Sequence, residues 1–230
     1  MRVRIHKNWD PLQQIFQLTQ EEIELQVLHD VRSYHDTYLK KYGKQAPEQF
    51  DVDNFIAERW GFEIIFDSIK QQDGEEVLGY TSPRDGTVVV DPEQCGSKER
   101  ITFTVAHEAG HLALHATMFR LENGKIVDWS RAPIQPQYAS SKGDRKQSIN
   151  QKRMEWQANK YAGALLVPKH IAHKTLAGLG LVVGQKQIKS VDLLEHAQFL
   201  MEKFGISRQA LEIRLSDLKI DLLNRRYRIE

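Results

Sequence analysis

The chain has 230 residues, 40% of them hydrophobic, and its 32 Lys plus Arg nearly balance 31 Asp plus Glu, for a formal charge of +1. That length suits one domain with at most a small appendage, and the near-neutral charge gives no whole-molecule field for nucleic acid or a membrane surface. No apolar run approaches the ~18 residues of a membrane span, and the opening MRVRIHKNWD lacks the hydrophobic centre of a signal peptide.

Taken in chain order, Asp10-Pro11 has the form of a cap followed by a proline at the first helical position. Thr19 and Glu22 then make a capping box ahead of IELQVLHDVRSYHDTYLKKYG. Ile23, Val27, Val31, Tyr34 and Tyr38 recur at helical spacing, and Lys40, Lys41 and Gly43 mark a stop. A shorter helix is predicted from Asp51 to Gly61. The pattern next switches to FEIIFDSI, EVLGYT and TVVVDP, short runs rich in β-branched and aromatic residues. Asp85-Gly86 between the last two signals a hairpin, and a small, largely antiparallel sheet is expected.

Cys95, the only cysteine, cannot form an intrachain disulfide. A reducing compartment, and so a soluble cytoplasmic protein, is expected. Ser97 is placed to cap a helix running to about Ala116. Residues 118–149 lose helical periodicity and read as a long connection of a kind that is usually functional or mobile, its loose charge that of a solvated loop. A helix resumes in INQKRMEWQANKYAGALLVP, and the remainder, including VDLLEHAQFLMEKFG and RQALEIRLSDLKIDLL, reads as helical. The fold class expected is α+β, with residues 1–46 as a helical extension, 47–185 as the core and 186–230 as a C-terminal helical pair packed on it.

The chemistry concentrates in TVAHEAGHLALH, residues 104–115. Histidines at i and i+4 share one helix face, so His107 and His111 can reach a single metal ion. Glu108 beside the first is placed to take a proton from metal-bound water. A metzincin pattern would need Gly and His where Leu114 and Thr117 stand, so a third ligand must come from elsewhere. Glu155 in MEWQANKYAGALLVP is the candidate, with Asn159 four residues on as an orienting partner for a ligating imidazole. Ala158, Ala162 and Gly163 are small, as close packing on the motif helix requires.

ITFTVAHEAGHLALH followed by EWQANKYAGALLVP resembles the ImmA/IrrE family of zinc metallopeptidases, compact gluzincins. FDVDNFIAERWGFEIIF, VLGYTSPRDGTVVVDP and AQFLMEKFGISRQALEIRLSDL extend the resemblance over most of residues 50–220. It implies a zincin-like fold, one zinc per chain held by His107, His111 and Glu155, and Glu108 as general base and acid. It also implies a protein substrate, a repressor of the XRE helix-turn-helix type, cleaved in a stress or mobile-element switch. The chain departs from the family in its longer N-terminal helical segment, its extended loop before Glu155 and Val167 where methionine is frequent.

The donor that stabilises the oxyanion stays open among Tyr138, His115, His170 and His173. For His115, one turn beyond His111, a supporting role behind the ligands is the better functional reading. A thiolate latch from Cys95 is conceivable, as is peptide addition to the hairpin through Tyr80 or residues 87–90. The competing reading is a DNA-binding regulator or toxin–antitoxin component with a non-catalytic metal site. FLMEKFGISRQALEIRL resembles a helix-turn-helix in which Arg208, Gln209 and Arg214 face DNA. Glu212 among them and the near-neutral chain weigh against it.

Overall fold

The computed structural model of the chain describes residues 9–10, 15–47, 49–70, 77–82, 85–115, 149–181, 188–218 and 222–223. It is α+β: helices predominate around a three-stranded mixed sheet.

Two short strands, β1 (Trp9–Asp10) and β2 (Ile15–Phe16), pair antiparallel, Trp9 with Phe16 and Asp10 with Ile15. Asp10 is therefore a strand residue where a helix cap was expected, and Pro11 lies outside the described residues. Helix α1 (Gln20–Tyr42) begins as predicted: Thr19 Oγ1 accepts from Glu22 N at 3.2 Å while Glu22 Oε2 accepts from Thr19 N at 2.8 Å. Its buried face carries Ile23, Val27, Asp30, Val31 and Tyr34. Helix α2 (Val52–Trp60) is capped by Asp51. Gly43 and Gly61 end the two helices in the left-handed region, where a Cβ would cost energy.

Strands β3 (Glu63–Phe66), β4 (Gly79–Ser82) and β5 (Thr87–Val90) lie in the order β3-β5-β4. β4 and β5 form the predicted hairpin, but β3 runs parallel to β5, which corrects the largely antiparallel expectation. Val88, Val89 and Val90 are all buried, the mark of a central strand covered on both faces. β3 fills the edge of β5 that β4 leaves open.

Asp91 leads out of β5 and caps the one-turn α3 (Pro92–Cys95), accepting from Glu93 N and Gln94 N. Ser97 then caps α4 (Lys98–Leu114), as predicted. Helix α5 (Ile149–Leu166) packs on α4 and is followed by α6 (Lys169–Gly178). The long connection expected over 118–149 lies, apart from Ile149, outside the described residues.

Strand β6 (Ile188–Lys189) precedes α7 (Ser190–Phe204), which leads to α8 (Arg208–Asp217) and β7 (Leu222–Leu223). The last helix was expected to continue through Leu223. It stops at Asp217, and Leu222–Leu223 pair in parallel with Ile188–Lys189. Leu218, Ile220 and Leu222 alternate with Lys219 and Asp221, a two-residue period that suits a strand better than a helix.

One apolar cluster joins α1 (Ile23, Val27), α2 (Phe55), β5 (Val88, Val90), α4 (Val105, Ala109), α5 (Tyr161, Leu165) and α8 (Leu211, Leu215). Each fully buried large side chain contributes roughly 1.5–3 kcal/mol. Polar ties pin the layers. Buried Asp30 of α1 accepts from Tyr161 Oη of α5 at 2.8 Å and pairs with Arg59 of α2 at 2.6 Å. Arg214 of α8 donates to Val167 O at 3.0 Å and grips both oxygens of Glu24 on α1. The frame thus holds α5 against α1 and α4. Among the described residues, no helix is long and apolar enough to cross a membrane.

Candidate metal centre

Helix α4 presents His107, His111 and His115 along one side, each a turn apart. Ala106, Ala109 and Leu112 on its other sides are buried in the core. Helix α5 crosses it with Glu155, Gln157 and Asn159 near the crossing. Contact is close because position 110 is glycine: a Cβ there would lie 2.9 Å from Ala158 O and 3.0 Å from Ala158 Cα. Of the small residues expected to allow this packing, Ala158 does so. Gly163 instead faces Arg214, whose Cδ would be 3.7 Å from an added Cβ.

His107, His111 and Glu155 offer ligand atoms that all lie within 4.8 Å of one another. The two Nε2 atoms are 3.0 Å apart, His107 Nε2 is 3.2 Å from Glu155 Oε2, and His111 Nε2 is 3.4 Å from Glu155 Oε1. Ligands at the usual ~2.05 Å around a tetrahedral ion are separated by about 3.3 Å, so the triangle already has the right edges. His107 is 1% exposed, and Glu155 Oε1 is buried without a well-formed hydrogen bond, His111 being its nearest donor candidate.

Partners behind the rings decide which nitrogens face inward. His107 Nδ1 sits 3.0 Å from Asn159 Oδ1, an acceptor, so Nδ1 donates and Nε2 keeps its lone pair. This is the orienting contact expected of Asn159. His111 Nδ1 lies 2.9 Å from His115 Nδ1, and His115 Nε2 lies 3.0 Å from Gln157 Oε1. Burial, then the neighbouring His111, holds the His115 pKa down to about 3, so that ring is neutral. His107 Nε2, His111 Nε2 and the Glu155 carboxylate thus converge, an arrangement that can hold a cation. Burial works against charge on His107 and Glu155, but their mutual hydrogen bond and attraction win. The His107 pKa is raised and that of Glu155 is held at about 2. Two imidazoles and one carboxylate are a donor set that fits a divalent ion of the zinc type, and among the described residues no fourth His, Cys, Asp or Glu joins the group.

Glu108 is 3% exposed, and its Oε2 accepts from Thr81 Oγ1 at 2.7 Å. Thr81 was not foreseen. It sits opposite Val88 in the ladder, on the sheet face that also carries buried Val88 and Val90, while Tyr80 opposite Val89 points to the other face. The strand alternation in GYTS was the signal available.

Cys95 is buried beside Thr104, its Sγ 3.7 Å from Thr104 Oγ1, and does not join the ligand group, which agrees with the favoured reading of a buried cysteine over a latch. Residues 87–90 form the central strand, paired on both sides, and cannot receive a peptide. Among the described residues the open edge beside Glu108 belongs to β4. His115 has both nitrogens engaged and is no oxyanion donor. His170 and His173 lie on α6; His170 lines a groove of about 670 Å³ between α1, α6 and α7 that none of the metal-facing side chains borders. Tyr138 lies outside the described residues. Arg214, which faces DNA only in the competing reading, is 2% exposed and committed to Glu24 and Val167, in keeping with the packing role favoured for this helical pair. Arg208 is paired with Glu212 at 3.2 Å.

No family model matches the chain, and no curated protein matches it. Among solved structures it is similar to one described as a Mycobacterium tuberculosis transcriptional regulator, at 15% identity and a TM-score of 0.46. The match covers 87% of this chain and 58% of that one, so the chain spans less than two thirds of that protein's length. A likeness this distant carries no weight for fold or function.

Proposed function

We propose that the chain is a metal-dependent peptidase, zinc its most fitting ion, built on a zincin-like core. The observation that carries the reading is the convergence of His107, His111 and Glu155 in the ligand geometry described, with Glu108 next in sequence to the first ligand. A bound divalent ion supplies Lewis-acid polarisation of the scissile carbonyl and acidifies water. Glu108 takes the proton from the attacking water and returns it to the departing amine nitrogen. Thr81 holds that carboxylate in one rotamer, and the surrounding apolar core excludes bulk water. An extended substrate adds to the open edge of β4, which runs past Glu108.

The resemblance to ImmA/IrrE peptidases supports a repressor of the XRE helix-turn-helix type as substrate. Of the residues assigned to a DNA-binding role, Arg214 is buried, while Arg208, paired with Glu212, and Gln209 are exposed. The test is to incubate the zinc-loaded protein, and its Glu108→Gln variant, with unstructured peptides and with such a repressor, mapping cuts by mass spectrometry. Cleavage is expected from the parent chain and not from the variant, with zinc retained by both. Equal cleavage by Glu108→Gln would remove the assigned base. Cut peptides beside an intact repressor would discard that substrate alone.

A further inference from the structure

We propose that Gln157, acting through His115, is a positioning residue that sets which nitrogen of His111 is free to bind metal. The inference rests on the metal-centre reading above and assigns a part to a residue outside the group of candidate ligands. Gln157 is fully buried on α5, one helical turn from neither ligand pair but facing His115, with its Oε1 3.0 Å from His115 Nε2. An amide oxygen only accepts, so His115 carries its proton on Nε2. The neutral ring then has one lone pair, on Nδ1, which points at His111 Nδ1 across 2.9 Å. His111 must supply that hydrogen and so carries its own proton on Nδ1. Its Nε2 is left as a lone pair facing His107 and Glu155.

The consequence is directional. Were the acceptor at Gln157 lost, His115 would be free to move its proton to Nδ1 and donate to His111. His111 would then be protonated on Nε2, the atom that must ligate, and metal would have to displace that proton. His107 is insulated from this because its Nδ1 has a separate acceptor in Asn159. One ring of the pair is therefore sensitive to Gln157 and the other is not, a pattern that general loosening of the core does not produce.

The experiment uses the full chain with ¹⁵N-labelled histidine. Two-bond ¹H–¹⁵N correlation of the metal-free protein reads the tautomer of each ring, and competition with a chromophoric chelator reads zinc affinity. In the parent chain, read above the pH at which His107 gives up its second proton, the expected result is Nδ1–H for His107 and His111 and Nε2–H for His115. In Gln157→Met, chosen for its similar volume, His111 shifts toward Nε2–H, His107 stays as it was, and zinc affinity falls about 10–100-fold. An Nε2–H tautomer for His111 in the parent chain overturns the inference without any variant. Unchanged tautomers and affinity in a folded Gln157→Met overturn it too. A parent chain with the expected tautomers that binds no zinc would sink the metal reading while leaving the relay from Gln157 in place.

Discussion

Replacing Gly110 with alanine sets two effects against each other. In a helix interior alanine is better than glycine by roughly 1 kcal/mol, so propensity alone makes Gly110→Ala stabilising. The new Cβ, however, meets backbone of α5 at 2.9 Å (Ala158 O) and 3.0 Å (Ala158 Cα), and backbone cannot swing aside. Ordinary carbon contacts fall near 3.5–4.0 Å, so α4 and α5 must part by about 0.5–1 Å. Overpacking of this kind costs about 1–3 kcal/mol, leaving a net loss of about 0–2 kcal/mol. For a chain this size that lowers Tm by at most about 8 °C, at ~2–4 °C per kcal/mol. The metal site is the sharper reporter, because Ala158 is less than one turn from Glu155 and ligand distances tolerate only about 0.2 Å. Zinc affinity is expected to fall about 10–100-fold, the scale seen when support for a ligand is lost. Chelator competition measures it alongside a thermal melt. A variant at least as stable as the parent, with unchanged zinc affinity, would refute the tight helix crossing as the device that assembles the site.

Thr81→Val removes the hydroxyl that donates to Glu108 while preserving shape. Hydrogen bonds to charged groups are worth about 1.5–3 kcal/mol, so kcat on a cleavable peptide should drop by about 10–100-fold with zinc affinity unchanged. Arg214→Met strands Glu24 and leaves Val167 O without its donor. Because Glu24 keeps some contact with water, the loss should sit near the low end of the ~3–5 kcal/mol for broken buried pairs, read by urea unfolding. Burial raises the Tyr34 phenol from 10.0 to about 12 against the opposing hydrogen bond from Asn54. The folded chain then keeps a proton that the unfolded chain releases, so this contribution is full below pH 10 and is lost as pH rises toward 12. Melts across that range should show the loss, and Tyr34→Phe should lessen it. Tyr161, raised by burial and then by Asp30, accounts for a remaining part.

Local chemistry made much of this legible. The capping box at Thr19 and Glu22, the caps at Asp51 and Ser97 and the stops at Gly43 and Gly61 each depend on a few adjacent residues, and each is where the sequence puts it. That His107, His111 and Glu155 come together was legible for the same reason: two share a helix face by spacing, and Glu155 is the one acidic residue of the next helix. What escaped depends on partners far along the chain. Whether β3 runs parallel or antiparallel to β5 is decided by which edge is vacant, not by EIIF itself. Arg214 looked like a surface cation until its partners, Glu24 and Val167, proved to be 190 and 47 residues away. Gln157 and Thr81 were silent because a buried amide or hydroxyl declares its role only through the atom it faces.

The most direct test is X-ray absorption on the zinc-reconstituted chain and its Glu155→Ala variant, with metal content measured in parallel. The account expects one ion per chain, bound by two imidazole nitrogens near 2.0–2.1 Å, one carboxylate and solvent oxygen, with the carboxylate and much of the affinity lost in the variant. A shell closed by four protein ligands, or one that Glu155→Ala leaves unaltered, would contradict it.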